Sequence, residues 1–210
     1  MYRFKKQMWL TAGLLLTLTA CGGSGGSDST TATATETETV STGVFIDSAV
    51  EGLQYETATR SGTTNSLGEY DYLAGETVTF SIGGIVLGST IAGPVVTPLS
   101  LVPDATSATN PVVTNIVRLL LSLDSDGDPD NGITISSEVT TAANDLAVDF
   151  SVADLSADDG ITSLLNSLQS IKLVSESVAQ NHFNQTLAVQ AKSTWGSLQW
   201  GSSQWRSASQ

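Results

Sequence analysis

The sequence has very few of the residues on which most enzyme sites depend. One cysteine in 210 residues excludes an intrachain disulfide and any cysteine-based zinc site, and one histidine excludes centres with several histidine ligands. From residue 21 onward five Lys and Arg side chains stand against 21 Asp and Glu, a net charge of −16. Such a surface repels phosphate backbones, so nucleic acid is excluded as a partner. The length allows one ordinary domain, or two small ones, around a modest core.

The first 21 residues have the pattern of a secretory signal. Arg3, Lys5 and Lys6 lead into an apolar run over residues 8–20, which is too short to span a bilayer core that needs about 20 residues. The run ends in Leu-Thr-Ala-Cys-Gly-Gly, which resembles the lipobox of bacterial lipoproteins. The resemblance implies removal of residues 1–20, lipidation of Cys21 and anchoring to the membrane through that lipid. The alternative is an ordinary secretory signal with an incidental cysteine.

The residues after Cys21 add an address and a linker. Because Gly22 rather than Asp follows the cysteine, the resemblance implies delivery to the outer membrane of a Gram-negative bacterium, so we expect a lipid-anchored protein of the cell envelope. The lipidated cysteine and the segment up to residue 42 consist mainly of Gly, Ser, Thr and Ala. This composition leaves nothing to bury, so residues 21–42 are predicted to form a disordered tether.

Residues 43–104 have apolar residues with a period near two, separated by Gly-rich turns. Short runs rich in Val, Ile, Thr, Tyr and Phe at this spacing predict antiparallel strands, arranged as a small β-sandwich or a partly open barrel. The alternation assigns nine side chains to the core: Val44, Ile46, Tyr55, Tyr70, Tyr72, Val78, Phe80, Ile82 and Leu87.

One hairpin in this region carries a family resemblance. The matching residues are Gly62, Thr64, Asn65, Gly68 and Tyr70. They follow the G-x-T-[DN]-x-x-G-x-[FY] pattern and resemble a hairpin of carboxypeptidase-regulatory-like, transthyretin-like β-domains. The wider segment is similar to the leading part of many uncharacterised Gram-negative surface lipoproteins. The resemblance implies a spacer or binding module rather than a catalyst. The glycine at position 68 is predicted to have a positive φ angle.

The pattern changes to a helical period over residues 105–192. Asn110 and Pro111 predict the start of a strongly apolar helix, and Ser136 or Ser137 caps a weaker one. Two further helices are predicted from residue 156 to about residue 171 and from about residue 175 to about residue 190. The chain is therefore α+β, with a boundary expected at residues 100–109. The helices either pack on the strands or form a companion domain.

An acidic loop at residues 124–132 follows the first helix. Its oxygen-bearing side chains alternate and are relieved by glycine, as in loops that fold around a hard cation. They are Asp124, Asp126, Asp128, Asp130 and Asn131. The run resembles the calcium loops of EF-hand, dockerin and thrombospondin type 3 repeats, but Pro129 and Ile135 replace the sixth-position glycine and the bidentate acid of an EF-hand. The loop predicts a calcium site, and the alternative is a solvated turn.

The remaining chemistry-bearing residues do not form a catalytic motif. His182 lies among amide side chains, where a helix surface or the edge of the core is expected, and there is no G-x-S-x-G nucleophile elbow. The acids of the strand region could supply a glycosidase-like pair, but their spacing singles out no two of them.

The last segment, residues 193–210, repeats a pentad headed by Trp195, Trp200 and Trp205. A period of five fits neither a helix nor a strand. Three interpretations stay open: a low-complexity tail, an aromatic strip that docks on a glycan, a membrane interface or a protein partner, and docking onto the chain's own core.

These patterns favour a membrane-anchored, non-catalytic surface lipoprotein that acts in adhesion or partner recognition, possibly stabilised by calcium and with a protein or glycan partner of unknown identity. The alternatives are an accessory lipoprotein of an outer-membrane assembly or transport complex and, on weaker grounds, a carboxylate-based hydrolase.

Overall fold

The computed structural model describes residues 39–169 and 171–201 and has an α+β fold. Its strands form three sheets, and the strand bounds are β1 Val40–Phe45, β2 Val50–Glu51, β3 Gln54–Glu56, β4 Ser61–Thr63, β5 Glu69–Leu73, β6 Thr77–Ile82, β7 Ile85–Ile91, β8 Val95–Val96 and β9 Ile133–Thr134. The sheet orders are β5-β1-β8, β2-β9 and β4-β3-β6-β7. The pairs β1–β8 and β2–β9 are parallel, which differs from the antiparallel arrangement expected for the region.

Tyrosine and phenylalanine rings connect the two larger sheets. Phe45 on β1 lies 4.7 Å from Phe80 on β6, measured between ring centroids, and Tyr70 on β5 meets Phe80 edge to face at 5.1 Å. Six of the nine predicted core residues are buried, namely Tyr70, Tyr72, Val78, Phe80, Ile82 and Leu87. Alternation therefore predicted the buried face of β5, β6 and β7 correctly.

The predicted core face of β1 is wrong. Val44 and Ile46 are only half-buried, whereas Phe45 and Asp47 have no exposed surface. Tyr55 is also half-buried. The run Val-Phe-Ile is apolar throughout and so does not indicate which face is inside, and a carboxylate two residues after Phe45 suggests that this face meets solvent. Because side chains alternate along a strand, an error of one residue inverts the whole strand.

The first long helix, α1 (Pro111–Ser122), begins where the sequence predicts. The Asn110 side chain accepts hydrogen bonds from the backbone N–H groups of Val112 and Val113, at 3.0 and 3.3 Å, and Pro111 occupies the first helical position. The helix is buried on nearly all sides, and Ile116, Leu119 and Leu120 have no exposed surface. A helix enclosed in this way is a central element of the core.

The other helices depart from the prediction mainly at their ends. The α2 helix (Ser137–Ala142) is capped by Ser136. A short 3-10 turn precedes α3 (Asp159–Leu168), so the helix begins later than residue 156, and it ends before residue 171 because Gln169 has a φ angle of 45°. The last helix, α4 (Glu176–Gly201), continues past the predicted end near residue 190.

Strands and helices share one hydrophobic core. Ala179 and Phe183 of α4 are fully buried in the same cluster as the aromatic residues of the sheets, and α4 packs against α1. Ile133 of β9 is also fully buried, and β9 pairs with β2 from the other half of the chain. The region from residue 39 to residue 192 therefore folds around a single core.

Candidate functional site

The hairpin residues that carry the family resemblance have structural roles. The buried Thr64 hydroxyl donates to the Val50 carbonyl at 2.7 Å and accepts from the Leu53 N–H at 3.0 Å. The Asn65 side-chain oxygen accepts from the backbone N–H groups of Leu67 and Glu69, both at 3.0 Å. These bonds hold the turn before β5 against β2 and β3.

Two further motif residues complete the same arrangement. Gly68 has a φ angle of +73°, as predicted, and a Cβ atom there would lie 2.5 Å from the Phe45 carbonyl oxygen. The Tyr70 hydroxyl donates to the Gly93 carbonyl at 2.7 Å and accepts from the Gly93 N–H at 3.0 Å. The motif therefore specifies a turn and its packing, and its polar groups are used inside the fold.

In the acidic loop the structure brings Asp124 and Asp126 together. Asp124 is only 9% exposed; its Oδ1 atom accepts from the Thr134 N–H at 2.9 Å, and its Oδ2 atom is buried without a hydrogen-bond partner among the described residues. Burial raises the pKa of the Asp124 carboxyl, and the adjoining Asp126 carboxylate raises it further. Asp124 is therefore the one buried carboxylate of the loop, with one oxygen unused.

The rest of the loop is exposed and braced by its own polar groups. Asp126 accepts from the Asn131 amide at 2.9 Å and from the Asp128 N–H at 3.0 Å, and the Asn131 amide lowers the pKa of Asp126. The Asp128 side chain caps the short 3-10 turn Pro129–Asn131. Asp130 points to a different cavity, described below. Within residues 39–169 and 171–201, no group of three or more His, Cys, Asp or Glu side chains is arranged to hold a metal ion.

A buried pair that the sequence analysis did not identify joins the two ends of the fold. Asp47 has no exposed surface, and neither carboxylate oxygen has a hydrogen-bond partner among the described residues. The His182 Nε2 atom lies 3.5 Å from Asp47 Oδ1 and 3.2 Å from the Asp47 carbonyl oxygen. Burial raises the pKa of the Asp47 carboxyl well above its usual range. His182 is thus at the edge of the core, as expected, but it faces an acid 135 positions away in the chain.

The turn around Asp47 is strained and borders a cavity. Ser48 has a φ angle of 61°, which is uncommon for a residue other than glycine, and the turn is closed by a bridge between Ile46 and Ala49. The cavity measures about 380 Å³ and lies between this turn, the acidic loop and α4. Its polar lining includes Ser48, Asp130, His182, Gln185 and Thr186, with Ile46, Ala49 and Val189 as apolar walls.

A second, polar cleft of about 400 Å³ lies beside β2, β9 and α2. Threonine, serine and amide side chains dominate its lining, and Glu51 is the one charged residue among the described residues that line it. Thr134, whose N–H group bonds to Asp124, lies in this lining, so the cleft adjoins the acidic loop.

The other predicted site residues give no geometry. Cys21 and Trp205 lie outside the described residues, and Trp195 and Trp200 lie on the backbone of α4. Among the helices of the described region, none has the length and apolar character needed to cross a bilayer.

Comparison of the chain with protein-family models, with curated proteins and with solved structures found no match. The evidence therefore defines an α+β protein with a buried Asp–His pair, an acidic loop and two cavities. The lipobox and the transthyretin-like hairpin remain predictions from the sequence.

Proposed function

We propose that this chain is a lipid-anchored, non-catalytic binding module of the bacterial cell envelope, with calcium as a stabilising ligand. The observation that carries the proposal is the lipobox: the only cysteine of the chain follows a basic and apolar signal and precedes a Gly-, Ser- and Thr-rich segment. Lipidation would then hold the folded region on a tether outside the inner membrane. Adhesion or partner recognition is the role that we assign to the folded region.

The use of the conserved-type hairpin chemistry inside the fold supports a binding role over a catalytic one. Thr64, Asn65 and Tyr70 spend their hydrogen bonds on the backbone of neighbouring segments. We further propose that the two larger sheets form a small transthyretin-like sandwich, because the rings of Phe45 and Tyr70 both contact Phe80 of the other sheet.

The calcium part of the proposal is supported by Asp124. Its unused, buried Oδ2 atom and the adjoining Asp126 carboxylate offer two oxygen ligands to a hard cation, which would also remove the repulsion between them. With so few ligands in place, the expected affinity is that of extracellular modules, with a dissociation constant of about 10⁻⁴–10⁻³ M.

Replacement of the cysteine tests the anchor. We expect the Cys21→Ser chain to accumulate as an unprocessed precursor, without incorporating a labelled fatty acid and without mature protein in the outer-membrane fraction. The wild-type chain in the same cells is the control. Normal processing and membrane retention of the Cys21→Ser chain would refute the proposal.

A further inference from the structure

The carboxylate of Asp47 is the least satisfied polar group of the described structure. Both of its oxygen atoms are buried without a hydrogen-bond partner, and the closest polar hydrogen donor is His182 Nε2, at 3.5 Å from Oδ1. Buried polar groups without partners are rare in folded proteins because they cost stability, so each one calls for an explanation. Groups of this kind are concentrated at functional sites.

The contacts of His182 determine which of its ring nitrogens faces outward. A backbone carbonyl can only accept a hydrogen bond, so the 3.2 Å contact with the Asp47 carbonyl requires that Nε2 carry the proton. The neutral ring then has its lone pair on Nδ1. His182 also lines the cavity of about 380 Å³, so the ring connects the buried carboxylate to the cavity.

The lining of the cavity is complementary to a positive charge. Asp130 contributes a carboxylate, His182 contributes an acceptor nitrogen, and the hydroxyls of Ser48 and Thr186 can accept hydrogen bonds. None of the described lining residues is Lys or Arg. The walls formed by Ile46, Ala49 and Val189 suit a short alkyl chain, and the volume lies in the range of roughly 300–1,000 Å³ typical of ligand pockets.

We propose that this cavity binds a primary alkylammonium group, with His182 Nδ1 and the Asp130 carboxylate as acceptors and Asp47 as the buried counter-charge behind the imidazole. Asp47 is a positioning residue in this site, because it acts on the ligand through the ring of His182. A bound cation offsets the cost of holding a negative charge on Asp47, so ligand binding and ionisation of Asp47 favour each other. The site involves neither Cys21 nor Asp124, and its test therefore stands or falls apart from the anchoring and calcium proposals.

The test uses the single histidine of the chain as its reporter. In ¹⁵N-labelled full chain in detergent, all imidazole signals in a long-range ¹H–¹⁵N spectrum belong to His182. We expect the neutral ring to show the Nε2–H tautomer. Titration with cadaverine, or with Nα-acetyl-lysine N-methylamide, should shift these signals along a saturating curve. The two ligands distinguish a free diamine from a lysine side chain, and the Nε-acetylated lysine compound is the neutral control.

Matched variants separate a binding site from a general attraction of cations to an acidic surface. Asp47→Asn keeps the shape of the side chain and removes its charge, and we expect its dissociation constant to rise about tenfold, equivalent to about 1.4 kcal/mol. Asp145→Asn removes one exposed charge elsewhere and should leave the titration unchanged. Amide spectra of both variants establish that the fold is retained.

Three results would overturn the inference. One is an Nδ1–H tautomer for the neutral ring, because the acceptor would then face Asp47 and not the cavity. Another is equal binding by wild type and Asp47→Asn. The third is the same shift with the charged and the acetylated lysine compounds, or no saturating shift with either amine up to about 100 mM, which is some 100-fold above a millimolar dissociation constant.

Discussion

Substitution of Gly68 tests whether the hairpin motif acts through backbone geometry. Its φ angle of +73° lies in the left-handed region, which costs a residue with a side chain about 1–2 kcal/mol. A new Cβ atom would also lie 2.5 Å from the Phe45 carbonyl oxygen, whose residue is bound to Gly68 through a 2.8 Å hydrogen bond from the Phe45 N–H to the Gly68 carbonyl. The β1 backbone must therefore move to accept the side chain.

The structure supplies a control that separates strain from contact. Gly75 has a similar φ angle of +87°, but a Cβ atom there would have no neighbour within 4 Å. Reduced entropy of the unfolded chain returns about 0.4–1 kcal/mol in both alanine variants, so Gly75→Ala should cost about 1 kcal/mol. Overpacking adds about 1–3 kcal/mol at position 68, so Gly68→Ala should cost about 2–4 kcal/mol. Gly68→Val should cost more, since it adds two methyl groups at the contact.

Urea unfolding of the full chain in detergent, followed by circular dichroism, measures these differences. We expect Gly68→Ala to lower the free energy of unfolding by at least 1 kcal/mol more than Gly75→Ala, with unchanged dependence on urea concentration. Equal losses would mean that strain alone matters. An unchanged stability for Gly68→Ala would refute the placement of this turn against β1.

Two further predictions concern carboxylates. The melting temperature should rise in millimolar calcium, and less in magnesium, for wild type but not for Asp124→Ala/Asp126→Ala; a hundredfold excess over the dissociation constant is worth about 2.7 kcal/mol, and identical curves with calcium and with chelator would leave only the solvated turn. The raised pKa of Asp47 means that its protonated form is favoured in the folded state, so its contribution to stability is complete below pH about 4 and is lost as the pH rises toward the folded pKa. The stability of Asp47→Asn relative to wild type should therefore increase between pH 4 and pH 7 in denaturant titrations, and a difference that does not vary with pH would contradict this reasoning.

Local signals in the sequence predicted those parts of the fold that short-range chemistry specifies. Asn110 and Pro111 give the start of α1 because a cap and a helix-compatible φ angle act within three residues. The positive φ angle of Gly68 could be predicted because a turn of this length requires one. The alternating residues of β5 and β6 indicate a buried face because each strand has one polar side.

Long-range pairings were not predictable in this way. Nothing in the local sequence around Val50 indicates a parallel partner at Ile133, and nothing around His182 indicates contact with Asp47. The face of β1 was misassigned for a related reason, because a buried and unpaired carboxylate contradicts the rule that charged residues face solvent. The candidate site therefore lies where the ordinary rule fails, which is where functional residues are expected.

The short β2–β9 pair connects the two proposed sites. The Asp124 carboxylate accepts from the Thr134 N–H, and the Ile133 N–H donates to the Ala49 carbonyl at 2.9 Å, so the acidic loop is bonded to the turn that holds Asp47. The same loop contributes Asp130 to the cavity beside His182. A cation held by Asp124 and Asp126 fixes the ends of the loop and with them the position of Asp130, whereas repulsion between unliganded carboxylates spreads the loop. If both sites bind as proposed, calcium strengthens amine binding, and by thermodynamic reciprocity the amine strengthens calcium binding by the same factor.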